Sequence, residues 1–488
     1  MARTLIKNAT LVTVDPATSD LRTGDILIVD DRIAEVAAHI EADDAEVIDA
    51  TGMIASPGFV DTHRHVWQTQ LRGVATDWSL FQYLSEIRTM YSVCYEAEDA
   101  YLGNYVGALE AINAGVTTIV DHSHLQISED HSDALVKGLV DAGIRGVFCY
   151  GVYRNPKYKP GQQIDAASII VDTAGTIEDF QKKNAERVRE KFFPSNDSVL
   201  RFGIASSEFF TFPSIEPVLE ELAWSRSLEP ARITFHATAV YTDAASLVVQ
   251  LSKAGALGDD LLLSHGNHLT DDDLGLLARE GGWLSVTPET ELQMGPGFPM
   301  LERVIESGRA PSLGVDIVSG FSGDMFGQMR LMLQSMRFRR DEHAARGKLP
   351  SSLGYTLPSD LRYPASKMVE HATLGGAACV GLENQIGSLT PGKKADVVLT
   401  RMNSINMAPV RDPHAALVIY ANASDVDSVW VNGVARKRGG RLVGEEWQGI
   451  ERRIQASRDA IDERFARIDA DAMRKAWAPL WGMEGTAA

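Results

Sequence analysis

From residue 57 onward, short apolar runs alternate with long amphipathic stretches, and this alternation constrains the fold of the 488-residue chain more than any other feature. Short β-branched runs predict strands, and the amphipathic stretches between them predict helices. Repeated βα units of this kind build a parallel sheet. Eight runs predict a closed (β/α)8 TIM barrel: "GFVDTHRH", "GVTTIVDHSH", "IRGVFCYGVY", "LRFGIASSE", "RITFHATA", "LLLSHGN", "WLSVTPE" and "PSLGVD". Helices are predicted between them, among others over 96–114, 129–142, 214–228 and 270–280.

The two flanks of the barrel have β-type sequence. Residues 1–56 contain short β-branched runs broken by Asn, Asp and Gly, and residues 386–444 carry Pro-Gly and Asn-Gly turn signals. We expect both flanks to pair into one small composite β-sandwich domain, and residues 57–385 to form the catalytic barrel domain.

Residues 445–488 form a C-terminal helical segment in this interpretation. Apolar residues recur there at three-, four- and seven-residue steps among many charges: Ile450, Ile454, Ile461, Phe465 and Ile468. The pattern predicts a helix that packs on its own barrel, with a contact between subunits as the alternative.

Charge and cysteine content narrow the partners and the compartment. The formal charge is −19 with a sequence pI of about 5.1, which disfavours nucleic acid and anionic membrane and favours a small-molecule substrate. Cys94, Cys149 and Cys379 lie far apart without a CxxC motif, which fits a reducing cytoplasm. Neither a signal peptide nor an apolar stretch long enough to span a membrane is expected.

Potential metal ligands stand at the ends of several predicted strands. His63 and His65 end the first strand, and because side chains alternate along a strand, they point to the same side. The fifth, sixth and eighth runs end in His236, His265 and Asp316. A single strand-end histidine is usually a structural hydrogen-bonding residue. Five candidates at the catalytic end of one barrel instead predict a divalent transition metal, for which imidazole and carboxylate are suitable ligands.

Several longer motifs resemble one enzyme family. These are "PGFVDTHRHVWQTQLRG", "AGVTTIVDH", "FHATA", "LLSHGNHLTDDDL", "LGVDIVSGFSGDMFGQMR" and "ATLGGAACVGLENQIGSLTPGKKADVVL". Over nearly its whole length the chain resembles the amidohydrolase superfamily, in particular its cytosine deaminase-like and triazine hydrolase-like branch. The resemblance implies one metal ion held by His63, His65, His236 and Asp316. Zinc is the first expectation, with Fe²⁺, Co²⁺ and Mn²⁺ as alternatives.

The resemblance also implies catalytic roles for two residues. Asp316 would take the proton from the attacking water and return it to the leaving group. His265 would hydrogen-bond the attacking water or the substrate, and it could stabilise the oxyanion. Other branches bridge two metals with a lysine at the end of strand four, whereas this strand ends at Glu208 without a lysine. One metal is therefore expected, although Glu208 could bind a second ion, shape the pocket or lie in a surface loop.

One position departs from the family pattern. Deaminases of this branch have a glutamate three residues after the strand-five histidine, and it protonates a ring nitrogen of the substrate, whereas this chain has Ala239 there. Either Glu208, Glu289 or Glu291 replaces that acid, or the substrate needs no ring protonation.

Further residues near the strand ends are candidates for substrate contact. They are Trp67, Gln68, His122 and His268. Packing is the alternative for Trp67, a structural hydrogen bond for His122, and a loop position away from the substrate for His268.

Three functions compete at this point. We expect a metal-dependent amidohydrolase that cleaves a non-peptide C–N bond of an amide, urea, carbamate or lactam in a small cyclic or aryl compound. The alternative is an aminohydrolase or chlorohydrolase-type enzyme acting on a nitrogen heterocycle with a substitute acid. The third possibility is a non-catalytic metal-stabilised scaffold. The resemblance also suggests a homodimer or a higher homo-oligomer.

Overall fold

A computed structural model describes residues 2–209, 212, 214–237, 246–346, 361 and 363–481. Its strands are β1 (Arg3–Leu11), β2 (Leu21–Val29), β3 (Arg32–Ala37), β4 (Glu46–Asp49), β5 (Met53–Pro57), β6 (Phe59–Arg64), β7 (Val116–Ser123), β8 (Arg145–Gly151), β9 (Leu200–Ala205), β10 (Ile233–His236), β11 (Leu261–Ser264), β12 (Trp283–Val286), β13 (Ser312–Leu313), β14 (Val397–Arg401), β15 (Val426–Val431), β16 (Val434–Arg438) and β17 (Arg441–Leu442).

The helices of the described residues lie mainly between these strands. They are α1 (Leu80–Tyr83), α2 (Ala97–Asn113), α3 (Glu129–Ala142), α4 (Ala166–Thr173), α5 (Asp179–Phe192), α6 (Glu216–Ser227), α7 (Leu247–Lys253), α8 (Asp271–Glu280), α9 (Pro288–Gln293), α10 (Leu301–Glu306), α11 (Met325–Arg346), α12 (Ala365–Glu370), α13 (Gly376–Cys379), α14 (Pro413–Ala415), α15 (Trp447–Phe465) and α16 (Ala470–Trp477). Wider π-type turns occupy Leu84–Tyr91, His371–Gly375 and Ala416–Tyr420, and 3₁₀ turns occupy Val66–Leu71, Ser92–Cys94, Ala423–Asp425 and Ala478–Trp481.

Strands β6 to β13 form a parallel sheet of eight strands in chain order. Each strand falls within one of the eight predicted runs. The sheet closes between its first and last strands, because the Asp316 N–H donates to the His63 carbonyl at 2.8 Å and the His65 N–H donates to the Asp316 carbonyl at 2.8 Å. The predicted (β/α)8 barrel is confirmed, and its closure brings the first and eighth strand ends together.

The other nine strands form a second sheet from both chain ends. β14 pairs antiparallel with β5, with Val397 opposite Pro57, so the C-terminal strands continue the N-terminal ones as predicted. This sheet is fixed to the barrel by a buried ion pair: Arg145 of β8 donates to both carboxylate oxygens of Asp396 at 2.7 and 3.0 Å.

A layer of buried apolar side chains lies below the strand ends of the barrel. Val60, Val120, Val147 and Leu262 belong to one buried cluster that also contains residues of α13. Because side chains alternate along a strand, His122 lies on the same face of β7 as Val120 but one step closer to its C-terminal end. The apolar layer therefore gives way to polar side chains at the end where barrel enzymes place their chemistry.

The C-terminal segment is two helices, α15 and α16. Ile450, Ile454 and Ile461 are buried in the main core, which confirms that α15 packs on its own barrel. Phe465, at the end of α15, stacks on Tyr91 with ring centroids 4.1 Å apart. Across the described residues, we find no helix with the length and apolar character needed to cross a bilayer.

Candidate active site

Four histidines and one aspartate converge at the C-terminal end of the barrel. His63 lies in β6 and His65 directly follows it, His236 ends β10, His265 follows β11, and Asp316 lies three residues after β13. All five are nearly buried: the side chain of His236 is 12% exposed, and the others are 5% exposed or less. The structure therefore brings together all five residues that the strand-end pattern singled out.

The side-chain atoms of this group have the spacing of ligands around one ion. Nε2 of His63 and Nε2 of His65 each lie 3.2 Å from Oδ1 of Asp316. Ligand atoms about 2.1 Å from a tetrahedral ion are about 3.4 Å apart. The ring of His236 lies 5.1 Å from that of His63 and 5.4 Å from that of His65, centroid to centroid. The ligand atoms of His63, His65 and His236 can lie within 4.8 Å of one another, and so can those of His63, His265 and Asp316.

Each of these histidines is held through its other ring nitrogen. Nδ1 of His63 bonds the Ser264 hydroxyl at 2.8 Å, and Nδ1 of His65 donates to the carbonyl of His122 at 2.8 Å. Nδ1 of His236 lies 3.0 Å from Oε1 of Glu208. Such contacts behind a ligand fix the orientation of the ring and leave Nε2 for the metal.

The protonation states of His63, His236 and Asp316 also suit the binding of a metal cation. Burial lowers the pKa of His63 well below its usual range, and burial likewise lowers the pKa of His236, although Asp316 and Glu208 oppose these shifts. Neutral imidazole is the form that binds metal. Nε2 of His63 is buried without a hydrogen-bond partner among the described residues. Burial alone would raise the pKa of Asp316, but the neighbouring rings of His63, His65 and His265 hold that pKa well below its usual range. The donor set therefore fits a divalent metal.

Asp316 and His265 both adopt left-handed backbone conformations, with φ of 69° and 72°. Outside glycine this region is uncommon and is found disproportionately at functional sites. His265 directly follows β11 and Asp316 lies three residues after β13, and both side chains are directed toward the group of ligands.

His265 is supported from behind by a threonine and a glutamate. Its Nδ1 lies 2.7 Å from the Thr287 hydroxyl and 3.6 Å from Oε1 of Glu291. Burial would lower the pKa of His265, but the nearby carboxylate of Glu291 and the charges of Asp316 and Glu208 together raise that pKa. His265 is therefore suited to carry a positive charge next to Asp316.

A small cavity of about 50 Å³ opens above these residues. Its lining combines the polar centre with an apolar and aromatic wall: His65, Leu80, Tyr83, Leu84, Arg88, His124, Glu208, His236, His265, Thr290, Pro296 and Asp316. A concave site with a few convergent polar groups is typical of small-molecule binding.

Glu208 is the carboxylate in this cavity besides Asp316. It follows β9 and accepts a hydrogen bond from His236, and Nη1 of Arg88 lies 3.9 Å from its Oε1. Burial would raise the pKa of Glu208, but His236 and Arg88 lower it overall. Glu208 is therefore ionised at neutral pH. Ala239, the position that lacks the family's glutamate, lies outside the described residues.

The other predicted contact residues lie around this centre. Trp67 is buried against Tyr95, and the amide of Gln68 bonds the Tyr83 hydroxyl at 2.6 Å, so both support the cavity from behind its lining. His122 is fully buried, and its ring lies 4.4 Å from that of His236, centroid to centroid, at an angle of 39°. His268 is exposed on the loop and does not line the cavity.

The two glutamates that follow strand β12 do not line the cavity either. Glu291 lies behind His265, where Oε1 accepts the Thr287 N–H at 2.8 Å. Glu289 accepts a hydrogen bond from Gln328 at 2.6 Å. Of the three carboxylates that could replace the missing acid, the structure places Glu208 in the cavity.

The segment after the first barrel strand contributes a wall of the cavity that the strand-end pattern did not predict. Leu80, Tyr83, Leu84 and Arg88 line the cavity, but none of them stands at a strand end, so the barrel pattern carries no signal for them. The signal that was available is an arginine between apolar residues in "LSEIRTMY", a segment that the structure winds as a π-type turn. Such turns are frequent at functional sites.

A match to a protein-family model shows which family this chain belongs to. The model of the amidohydrolase family matches residues 54–436, more than half of the chain. The chain belongs to the amidohydrolase family. This confirms the resemblance seen in the motifs, and this amidohydrolase is accordingly a hydrolase of carbon–nitrogen bonds other than peptide bonds.

Individual relatives extend over almost the whole amidohydrolase chain. It is 28% identical over 472 residues to a 5-methylthioadenosine/S-adenosylhomocysteine deaminase of Desulforudis audaxviator, covering 94% of this chain and 98% of the relative. A zinc-bound adenosine deaminase from Xanthomonas campestris has a similar structure, with TM-score 0.79, 19% identity and coverage of 95% and 99%. A variant of atrazine chlorohydrolase from Arthrobacter aurescens, complexed with zinc and atraton, has TM-score 0.77, 19% identity and coverage of 93% and 100%. The two structures support the barrel with its second β domain.

Proposed function

We propose that this amidohydrolase removes an amino group from a nitrogen heterocycle by hydrolysis and releases ammonia. The observation that carries the proposal is the carboxylate of Glu208, which lies in the cavity beside His236. It offers a substitute for the acid that the sequence lacks at Ala239. The names of full-length relatives, such as the deaminase of Desulforudis audaxviator, support the same reaction class.

One divalent ion, zinc foremost, is part of the proposal, with Fe²⁺, Co²⁺ and Mn²⁺ as alternatives. His63, His65, His236 and Asp316 would hold it, because their free nitrogens and carboxylate oxygen face one another. When bound, such an ion lowers the pKa of water and polarises the bond under attack.

Asp316 and Glu208 would divide the proton transfers. Hydrolytic deamination adds water oxygen to the ring carbon, places one water proton on the ring nitrogen and the other on the departing amine. Asp316, held ionised, accepts a proton from the attacking water and passes it to the amine. Glu208, also ionised at rest, accepts the other proton and delivers it to the ring nitrogen. Both carboxylates return to their starting charge.

His265 would stabilise the charge that develops on the attacking oxygen. Thr287 and Glu291 fix its ring, and its pKa is raised, so it can offer a charged N–H at the centre. A preorganised donor of this kind contributes most where water is excluded.

A second candidate is hydrolysis of an amide, urea, carbamate or lactam. The lowered pKa of Glu208 favours it, because an ionised carboxylate that accepts a bond from His236 could serve only to orient that ring. In this reaction the substrate carries its own polarised carbonyl, and Asp316 alone moves the proton.

Ammonia release separates the two candidates. Zinc-reconstituted protein would be incubated with aminated purines, pyrimidines and triazines, and in parallel with cyclic ureas, lactams and aryl carbamates. We expect ammonia from at least one aminated ring with kcat/KM above about 10⁴ M⁻¹s⁻¹, the lower end of the usual range for enzymes. Turnover confined to the carbonyl compounds would select the second candidate.

We further propose the organisation expected from the sequence. The small domain comprises residues 1–56 and 386–444, the barrel 57–385 and the helical segment 445–488. A cytoplasmic location is supported by three buried cysteines that form no disulfide. The partner is a small molecule rather than nucleic acid or membrane, and the protein is a homodimer or higher homo-oligomer.

A further inference from the structure

Arg88 enters the cavity as a largely buried cation. The carboxylate of Glu208 balances its charge, but its guanidinium lacks hydrogen-bond acceptors among the described residues. Its side chain is 14% exposed, lies 3.9 Å from Glu208, and has its guanidinium 4.6 Å from the centroid of the Tyr153 ring. No N–H of this guanidinium donates to any residue that the structure describes, and its buried Nε has no acceptor there. A buried donor without an acceptor costs about 1–3 kcal/mol, and a ligand in the cavity can supply that acceptor.

His124 contributes a second donor to the same cavity. The indole N–H of Trp67 donates to Nδ1 of His124 at 3.4 Å. Because indole only donates, Nδ1 carries the lone pair and the ring proton must sit on Nε2. Nε2 is buried and has no partner in the described part of the chain. His124 and Arg88 both line the cavity, which therefore presents two neighbouring groups that can only donate.

The segment that carries Arg88 is held firmly. Arg474 of α16 forms a two-point ion pair with Glu86, and Met90 packs with Met473 in a common cluster. Tyr91 stacks on Phe465 of α15. The two C-terminal helices thus fix the π-type turn from outside while Arg88 points into the cavity. A rigid support of this kind is what a specificity contact requires.

We propose that Arg88 and His124 bind a ring carbonyl oxygen of the substrate, so that the substrate is an amino-substituted heterocycle that also carries an oxo group. A carbonyl fits better than a carboxylate, because Glu208 already balances the charge of Arg88. The amino group of this substrate rests on the proposed deamination. The oxo group rests only on the two hydrogen-bond donors, Arg88 and His124.

Matched pairs of ligands test the assignment. Isocytosine and 2-aminopyrimidine share ring and amino group and differ by one oxo group, as do guanine and 2-aminopurine. For zinc-reconstituted full-length protein, dissociation constants would be measured by calorimetry and kcat/KM by ammonia release. We expect the oxo member of at least one pair to be preferred about ten-fold or more, because a site built to hydrogen-bond a group rejects the analogue that lacks it.

The variant Arg88→Met should abolish that preference. We expect its dissociation constant for the preferred oxo compound to rise about ten-fold or more, so that the dissociation constants of the two members of that pair come within about three-fold of each other. Arg88→Lys keeps the charge beside Glu208 and should restore part of the preference. Arg187→Met, which removes a surface ion pair with Asp133, is the matched control and should behave like the wild type.

The outcomes separate the two proposals. If no compound releases ammonia, the proposed deamination is refuted. If the oxo compounds still bind more tightly and Arg88→Met removes this preference, the proposed role of Arg88 and His124 stands. Equal binding of both members of each pair, or an equal loss for both in Arg88→Met, would overturn the donor pair. Tighter binding of 2-aminopyrimidine-5-carboxylate than of isocytosine would also overturn it, because the donors would then serve a carboxylate.

Discussion

Asp316→Asn is expected to lower kcat by about 10³-fold or more while the protein stays folded. Asparagine keeps the size of the side chain and one oxygen for a metal, but it cannot accept a proton, and general acid–base catalysis contributes about 10²–10⁴-fold. The loss of the negative charge of Asp316 beside His265 should lower kcat further. Asparagine also tolerates the left-handed backbone found at this position, with φ of 69°. Steady-state kinetics on zinc-reconstituted protein measures the change.

Metal content and circular dichroism are the controls for this variant. If Asp316→Asn binds zinc and has a wild-type spectrum, the loss of activity belongs to proton transfer. If zinc is lost as well, the ligand role of Asp316 dominates, and activity should recover at high zinc concentration only in part. A fully metallated variant with more than about a tenth of the wild-type kcat would refute the catalytic role.

Glu208→Gln is expected to lower kcat for ammonia release by about 10²-fold or more. The amide keeps an oxygen that accepts the hydrogen bond from Nδ1 of His236, but it cannot carry a proton to the ring nitrogen. Glu289→Gln is the comparison variant. Although burial raises the pKa of Glu289 to about 7, this carboxylate bonds Gln328 and lies outside the cavity lining, so its loss should leave kcat within about three-fold of the wild type.

The alternative role of Glu208 gives a different pattern. If Glu208 only orients His236, the Gln variant should lose zinc affinity, by about 10–100-fold, with little change in kcat at saturating zinc. A variant with unchanged kcat and unchanged zinc affinity would remove Glu208 from the mechanism altogether.

The barrel and its five convergent residues were predictable because both follow from periodicity. Short apolar runs determine where the strands lie. The parallel arrangement then places His63, His236 and Asp316 at one end of the barrel, independently of the conformation of the loops. The two-residue step of a strand likewise orients His63 and His65 to one side. These features depend on local sequence and on a topology with few alternatives.

The cavity wall was not predictable in the same way. Arg88 and Tyr83 reach the site from a segment that has no strand-end position, and their placement depends on packing against the C-terminal helices. The sequence alone could not decide which of the three candidate carboxylates enters the cavity, because tertiary contacts set the direction of each loop. Glu291 bonds Thr287 behind His265, whereas Glu208 enters the cavity.

We propose above all that one divalent ion binds between His63, His65, His236 and Asp316. Anomalous X-ray diffraction at the zinc absorption edge, on crystals of zinc-loaded protein, tests it most directly. Our account predicts a single strong peak within bonding distance of Nε2 of the three histidines and a carboxylate oxygen of Asp316. A peak held by His122 and His124 instead, or no peak at the ends of strands β6 and β10, would contradict it.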